Sequence, residues 1–323
     1  MSLPPLLECV PNVSEGRDLA KVEAFTRAIA SVEGTHLLHR DIGYDANRTV
    51  FTFVGAPAAV RLSAKRLAEA CVAHIDLRRY SGTHPFVGAL DVCPFVALGG
   101  LAPKHATAAA RDVAEYCHAA LGVPVYLYEH SATRPAYRSL ARVRRGGLAD
   151  AAARTGAWAP DYGTGAHPTA GCSVVGAREL LVAYNINLDG ADPATARRIA
   201  GTLRSSARGT GLPKVRAIGW HQAALGRTQV SINLLDYRVT GLGDVYTRVQ
   251  ALAAENGAAA AGSELIGLAP LAALADVPGA FGERITNPHL AAERAAELLG
   301  LSALKPWEPE ERILEYVVGA LGI

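Results

Sequence analysis

The sequence predicts an α+β protein built from two ferredoxin-like βαββαβ subdomains with additional strands and helices. Two observations lead to this prediction. The order of strand-like and helix-like runs in the first half of the chain recurs in the second half. The chain has 323 residues and is 50% hydrophobic, so it is long enough to bury two medium-sized cores. We therefore expect subdomains over residues 1–178 and 179–323, with a ligand cleft between them.

The first half begins with the apolar run LLECVPNV, and Asp18 is placed to cap the helix that follows. The apolar residues of that helix recur at helical spacing: Leu19, Val22, Phe25, Ile29 and Val32. Two strand-like runs, THLLHRDI and RTVFTFVG, surround the turn-rich GYDAN, and Pro57 begins a second helix. The strand DVCPFVAL, a helix over residues 103–121, the strand VPVYLY and the glycine-rich loop WAPDYGTGAHPTAG lead to the second half.

The second half begins with the strand RELLVAYNINL. Its first helix, DPATARRIAGTLR, starts with an aspartate cap and a proline, and the residues expected to be buried are Ala196, Ile199, Ala200 and Leu203. The runs KVRAIGWHQ and TQVSINLLD form a hairpin, TGLGDVYTRVQALAAENG forms a helix, and GSELIGLAPL is the closing strand.

Charge and cysteine content exclude several classes of protein. The 32 lysines and arginines nearly balance the 30 acidic residues, so the net charge of +2 gives no bulk attraction for nucleic acid or an acidic membrane. The sequence shows neither a signal peptide nor a long apolar run that would span a membrane, and we expect a cytoplasmic protein. The five cysteines are widely spaced among apolar neighbours, which is typical of reduced core thiols.

The familiar metal and cofactor motifs are absent from the sequence. No CxxC pair occurs, and His36 and His39 lie in a predicted strand, where positions three apart face opposite sides, so no metal site is predicted. There is no GxGxxG after a strand, no GxxxxGK and no GxSxG. These absences disfavour dinucleotide, nucleoside-triphosphate and hydrolase sites.

His84 is the strongest candidate for acid–base chemistry. It lies in a Gly-Thr-His-Pro segment, where Gly82 and Pro85 keep the imidazole off any regular helix or strand. Such an imidazole can take and return a proton near neutral pH, although a loop histidine that bonds a backbone carbonyl is the alternative. Asp41 follows an apolar strand and can orient an imidazole, or it can form a turn.

Polar residues line one face of two predicted strands. Asn185 and Asn187 alternate with apolar residues, and the same alternation occurs in TQVSINLLD. This face is either solvated or a wall of hydrogen-bonding groups beneath a ligand.

Single cations beside apolar residues or glycines can hold a carboxylate, or they can form surface salt bridges; they are Arg48, Arg178, Lys214 and Arg216. The pair Arg144 and Arg145, in contrast, is expected to be solvated. The residues taken together indicate a two-lobed enzyme that acts on small acidic substrates.

Ten blocks of the sequence, found in order over about residues 6–320, carry a resemblance to a known family. They are ECVPNVSEGRD, NRTVFTFVG, GTHPFVGALDVCPF, GVPVYLY, WAPDYG, VVGAR, NINL, IGW, QVSINLLD and GSELIGLAPL. In these blocks the chain resembles the glutamate formimidoyltransferases, including the formiminotransferase part of formiminotransferase-cyclodeaminase.

The resemblance implies transfer of a formimino group from N-formimino-L-glutamate to N5 of tetrahydrofolate, in a homodimer. It places the family's catalytic histidine on His84, and we expect Asp41 to be the orienting or charge-stabilising partner of His84. The implied folate contacts are Gly163, Thr164, Gly165, His167, Thr169 and Gly171 in one stretch and Gly211, Lys214, Val215, Arg216, Ala217 and Gly219 in another. From their sequence context we expect Arg48, Asn185 and Asn187 to contact the substrate, and no metal is expected.

The sequence departs from the family pattern next to His84. Where the family usually has His-Lys-Gly-Glu-His-Pro, this chain has Tyr80, Ser81 and Thr83 at the three changed positions. Relatives also tend to have Asp where His39 stands. Two alternatives to the formimidoyltransferase function remain: a folate-dependent relative that uses another one-carbon donor, such as a formyl compound, and a non-catalytic folate-binding protein.

Overall fold

The computed structural model describes residues 3–82, 85–204, 209, 211–222 and 226–323. Within them the chain divides into two compact units, with the boundary between Arg178 and Glu179. Each unit contains one β-sheet and several helices, so the predicted α+β class is confirmed.

The first unit contains seven strands and five α-helices among the described residues. Its strands are β1 (Leu6–Cys9), β2 (Asn12–Val13), β3 (Thr35–Gly43), β4 (Arg48–Gly55), β5 (Leu90–Leu98), β6 (Val125–Glu129) and β7 (Ser173–Ala177). Its helices are α1 (Leu19–Ala30), α2 (Pro57–His74), α3 (Lys104–Ala119), α4 (Leu140–Val143) and α5 (Gly147–Ala153). Three single-turn 3₁₀ helices occupy Leu77–Arg79, Pro135–Arg138 and Gly156–Trp158.

The sheet of the first unit is mixed. Strand β4 pairs antiparallel with β3 on one side and with β1 and β2 on the other, and both of these also pair with β5. Strands β5, β7 and β6 are parallel. One face packs on α1, α2 and α3 and buries, for example, Leu7, Phe51 and Phe95. Because side chains alternate along a strand, Glu8, His39 and Asp41 lie on the other face.

Helix α1 begins where the sequence predicts. The carboxylate of Asp18 accepts hydrogen bonds from the backbone N–H groups of Ala20 and Lys21 at its N-terminus. Val22, Phe25 and Ile29 are buried, whereas Leu19 in the first turn is 61% exposed, so its predicted place in the apolar stripe is wrong.

The second unit contains four strands and seven α-helices among the described residues. Its strands are β8 (Val182–Asp189), β9 (Val215–Gln222), β10 (Arg227–Leu234) and β11 (Ala259–Ile266). Its helices are α6 (Pro193–Leu203), α7 (Leu242–Glu255), α8 (Leu271–Ala275), α9 (Val277–Ala280), α10 (Pro288–Leu299), α11 (Pro309–Arg312) and α12 (Leu314–Ala320).

The four strands of the second unit form an antiparallel sheet in the order β11-β8-β10-β9. The apolar side chains of β8 and β10, such as Tyr184 and Ile232, enter the core that α6 and α7 share. Asp192 caps α6, Pro193 follows it, and the four residues of α6 predicted to be buried are buried. The assignment of either unit to the ferredoxin-like fold stays a prediction.

The cysteines are free and buried, which confirms the prediction of reduced core thiols. Burial raises the pKa of the Cys172 thiol to about 12, so this thiol is protonated at neutral pH and is not a nucleophile. In the described part of the chain, no helix is long and apolar enough to cross a membrane. The described residues also include no cluster of three His, Cys, Asp or Glu side chains that could hold a metal ion.

Candidate functional site

His84 and Thr83 lie outside the described residues, but the chain on both sides of them is described. On the N-terminal side, the hydroxyl of Tyr80 is 2.9 Å from the carbonyl oxygens of both Ala46 and Asn47. A Cβ atom at Gly82 would lie 2.6 Å from the oxygen of Ala46, so only glycine fits this close approach. The segment that leads to His84 therefore packs against the β3–β4 turn.

Asn47 joins this segment to the loop before α1. Its Nδ2 donates to the carbonyl oxygen of Ser81 at 3.0 Å, and its Oδ1 accepts from the backbone N–H of Gly16 at 2.9 Å. Arg17 donates to the hydroxyl of Ser81 at 3.0 Å and to the carbonyl of Tyr44. Tyr80 and Ser81, which depart from the family pattern, thus make the contacts that hold this segment in place.

Asp41 lies near the end of β3, where the sequence analysis expected it. Its Oδ2 is 3.2 Å from Nε2 of His39, and both side chains are mostly buried. Sequence analysis did not select His39 as a site residue. The signal was present, because two positions apart on a strand share one face. The role of Asp41 as a partner of His84 stays a prediction.

A buried ion cluster lies beside the segment on the C-terminal side of His84. The fully buried carboxylate of Asp91 contacts the guanidinium groups of Arg48 and Arg144, the second at 2.7 Å, and accepts from the N–H of Val87. Arg144 also donates to the carbonyl oxygen of Pro85. Burial alone would raise the pKa of Asp91, but the two guanidinium charges and the N–H lower it.

This cluster changes two expectations. Arg144 is not solvated as predicted, because its side chain is only 17% exposed and is paired with Asp91. Arg48 is likewise engaged, since its Nε donates to the side-chain oxygen of Asn12 at 3.1 Å and its Nη1 to Asp91. Sequence analysis did not identify Asp91, because an aspartate inside an apolar strand gives no local sign of its distant partners.

The first predicted folate stretch, residues 163–171, forms a compact loop. Gly163, Gly165 and Gly171 have φ values of 76°, 68° and 70°, which favour glycine. His167 and Gly171 exchange backbone hydrogen bonds. The ring Nδ1 of His167 also accepts from the backbone N–H of Ala170 at 3.0 Å, so in the neutral ring the proton is on Nε2. The side chain of Thr164 is exposed.

This loop contacts the His84 segment at both of its ends. The N–H of Leu77 donates to the carbonyl of Thr169 at 2.8 Å, and the N–H of Ala89 donates to the carbonyl of Ala170 at 2.8 Å. The predicted folate loop therefore contacts Leu77 and Ala89, which precede and follow the His84 motif in the sequence.

The second predicted folate stretch, residues 211–219, belongs to the other unit. Lys214 and Arg216 are exposed, whereas Val215 and Ala217 enter the core. A Cβ atom at Gly219 would lie 2.2 Å from backbone atoms of α6, so this glycine serves packing between β9 and α6. The charged side chains of this stretch are thus exposed, and the contact of the stretch with folate, beginning at Gly211, stays a prediction.

Asn185 and Asn187 lie on the face of β8 that does not pack on the helices. Both are buried and belong to a network with Gln229 and Glu264. The sequence analysis selected the two asparagines, whereas Glu264 became visible only from the pairing of β11 with β8.

Two family models together match most of the chain. The N-terminal subdomain of the formiminotransferase domain matches residues 6–178, and the formiminotransferase domain matches residues 183–319. The chain belongs to the formiminotransferase family. The resemblance found in the ten sequence blocks is thereby confirmed.

Known formiminotransferase-family proteins are similar to this chain over most of its length. The formimidoyltransferase-cyclodeaminase of Sus scrofa is 41% identical over 98% of this chain and 60% of the relative. The glutamate formimidoyltransferase of Streptococcus pyogenes serotype M1 is 38% identical over 84% of this chain and 91% of that protein. The corresponding enzyme of Thermoplasma acidophilum is 36% identical. The chain thus spans about 60% of the length of the cyclodeaminase-containing relatives.

Proposed function

We propose that this member of the formiminotransferase family transfers a formimino group from N-formimino-L-glutamate to N5 of tetrahydrofolate. One observation supports this function beyond the family. The predicted folate loop is hydrogen-bonded at Leu77 and Ala89 to the two ends of the segment that contains His84. These contacts support a role for this loop and for His84 in one site. Tetrahydrofolate acts as the acceptor co-substrate and no metal is required.

The proposed reaction needs one proton-transfer group. N5 of tetrahydrofolate attacks the amidinium carbon of the donor, and a tetrahedral intermediate forms as the new C–N bond is made. The nitrogen of glutamate leaves with the electrons of the old C–N bond only when it is protonated. His84 takes the proton from N5 and returns it to this nitrogen, so that the catalyst is regenerated in each cycle.

Charged residues support this reaction in two ways. Asp41 orients the imidazole of His84 and stabilises its positive charge. Lys214 and Arg216 are exposed and hold carboxylates of the donor or of the folate tail. Arg48 is less available for such a contact, because Asp91 and Asn12 already accept from two of its donor groups.

The family resemblance also underlies two further proposals. We propose a homodimer, which analytical ultracentrifugation of the purified protein would test. We also propose that the enzyme acts in the cytoplasm, where both small-molecule substrates are available; cell fractionation would test it.

The activity is tested with purified protein, tetrahydrofolate and formiminoglutamate by following the release of glutamate. We expect His84→Gln to lower turnover by roughly 10²–10⁴ with little change in folate affinity. His74→Gln, at an exposed position in the last turn of α2, is the matched control and should keep full activity. A fully active His84→Gln variant would contradict the role of His84. Folate binding without glutamate release, followed by turnover with a formyl donor, would instead support the alternative donor.

A further inference from the structure

Two neighbouring buried side-chain amides in the second unit, Asn187 and Gln229, are joined by one hydrogen bond. Two amides that face each other fully would form two. Asn187 on β8 lies directly opposite Gln229 on β10. The two residues are 1% and 0% exposed to solvent, respectively. Nε2 of Gln229 donates to Oδ1 of Asn187 at 2.7 Å. Nδ2 of Asn187 and Oε1 of Gln229 have no hydrogen-bond partner within the described part of the chain.

Glu264 determines which way these amides point. Its Oε1 accepts from Nε2 of Gln229 and from Nδ2 of Asn185, each at 3.1 Å. A carboxylate only accepts, and Oδ1 of Asn187 also accepts, so the amide nitrogen of Gln229 must face both of them. The oxygen of Gln229 and the nitrogen of Asn187 are then left for another partner.

Buried polar side-chain atoms nearly always have a hydrogen-bond partner in the protein, in ordered water or in a bound ligand, so these two atoms are available to a ligand. A third atom of this kind lies on β9, where Nε1 of Trp220, directly opposite Gln229, also lacks a partner among the described residues. The group that fits must accept from Asn187 and donate to Gln229. A carboxylate only accepts and an amidinium only donates, so neither fits both atoms. Among the groups of the proposed substrates, the edge of the pterin lactam, with C=O beside N–H, fits both.

We propose that Asn187 and Gln229 bind the lactam edge of the pterin ring of folate, an inference that rests on the proposed function. The C4 carbonyl oxygen accepts from Nδ2 of Asn187, and N3–H donates to Oε1 of Gln229. Glu264 is a positioning residue, because it holds the two amides in the orientation that this edge requires. The site therefore distinguishes a 4-oxo from a 4-amino pterin.

The test compares tetrahydrofolate with its 4-amino-4-deoxy analogue, in which position 4 donates and N3 accepts. Binding of each to the full chain is measured by calorimetry. We expect the wild-type protein to bind the 4-oxo compound about 10- to 100-fold more tightly, since two neutral hydrogen bonds are lost with the analogue. In Gln229→Leu and Glu264→Gln this preference should fall below about threefold, in the second variant because the amides can then rotate. Asn233→Ala is the control, because Asn233 is exposed and lies on the same face of β10 as Gln229. This variant should keep the preference for the 4-oxo compound.

The outcomes separate this inference from the proposed function. If the wild-type protein transfers the formimino group yet binds both pterins equally, the lactam site is wrong and the function stands. If the preference is the same in Glu264→Gln as in the wild type, the positioning role is wrong. Circular dichroism establishes whether Gln229→Leu folds. If Gln229→Leu does not fold, the pterin preference of Glu264→Gln, which preserves side-chain size, tests the lactam site. A wild-type protein that neither binds tetrahydrofolate nor releases glutamate would overturn both proposals.

Discussion

Nε2 of His39 lies 3.2 Å from Oδ2 of Asp41, on the face of the first sheet that does not pack on the helices. The carboxylate expected to assist His84 is therefore shared with a second histidine. The contact makes His39 a candidate for tuning the predicted catalytic pair.

This relationship predicts non-additive kinetics. Asp41→Asn should lower kcat by about 10²-fold, because the charge that stabilises a protonated His84 is lost. His39→Gln should lower kcat by about tenfold, and the double variant should be no slower than Asp41→Asn alone, since the effect of His39 passes through Asp41. Steady-state kinetics of the wild-type protein, the two single variants and the double variant provide this double-mutant cycle. Multiplicative effects would show that the two residues act independently.

Asp91 should be essential for stability. Asp91→Asn leaves Arg48 and Arg144 buried without a countercharge, and we expect a loss of about 3–5 kcal/mol in the free energy of unfolding. Urea denaturation measures this loss. The control is Glu23→Gln, which breaks an exposed pair with Arg40 and should leave the urea midpoint nearly unchanged. An equal effect of both changes would contradict the special position of Asp91.

Glu8 should make the protein less stable as the pH rises. Burial raises the pKa of Glu8 to about 7, while the charge of Arg178 acts in the opposite direction. Because the folded-state pKa lies above the unfolded value, the stabilising contribution is complete below about pH 4.5 and is lost as the pH rises through about 7. Glu8→Gln should reduce the difference in unfolding free energy between pH 5 and pH 8 by roughly 2 kcal/mol. An unchanged pH dependence in the variant would refute this assignment.

Gly82 should matter for turnover more than for stability. A Cβ atom there would lie 2.6 Å from both the carbonyl oxygen of Ala46 and the hydroxyl of Tyr80, so Gly82→Ala must displace the segment that leads to His84. We expect kcat to fall at least about tenfold, because misplacing a catalytic group slows the chemical step strongly. Gly279→Ala, where the added atom meets nothing within 4 Å, is the control. Equal kcat values for the two variants would sink this prediction.

Much of the fold could be predicted because its signals are local. The cap at Asp192 and the proline after it depend on residues within one helical turn, and the structure confirms both. The alternation around Asn185 and Asn187 depends only on the two-residue period of a strand. Leu19 shows the limit of such signals. The helical spacing of apolar residues does not indicate which of them lie beyond the elements that pack on the helix.

The candidate site was only partly predictable. The motif around His84 lies in one of the sequence blocks, and the loop 163–171 was implied by the family resemblance. The hydrogen bonds of Thr169 and Ala170 to the His84 segment join residues about 80 to 90 positions apart, and no local pattern encodes such distances.

The sequence by itself determined the family, the α+β class, the order of the elements and the candidates His84 and Asp41. Only the tertiary structure decided which charges and amides meet. It paired Asp91 with Arg144 and turned Gln229 toward Glu264, across strands and loops far apart in the chain. The physical reason is that a buried polar group must find its partner in space, and the register of the sheet and the packing of the loops select that partner.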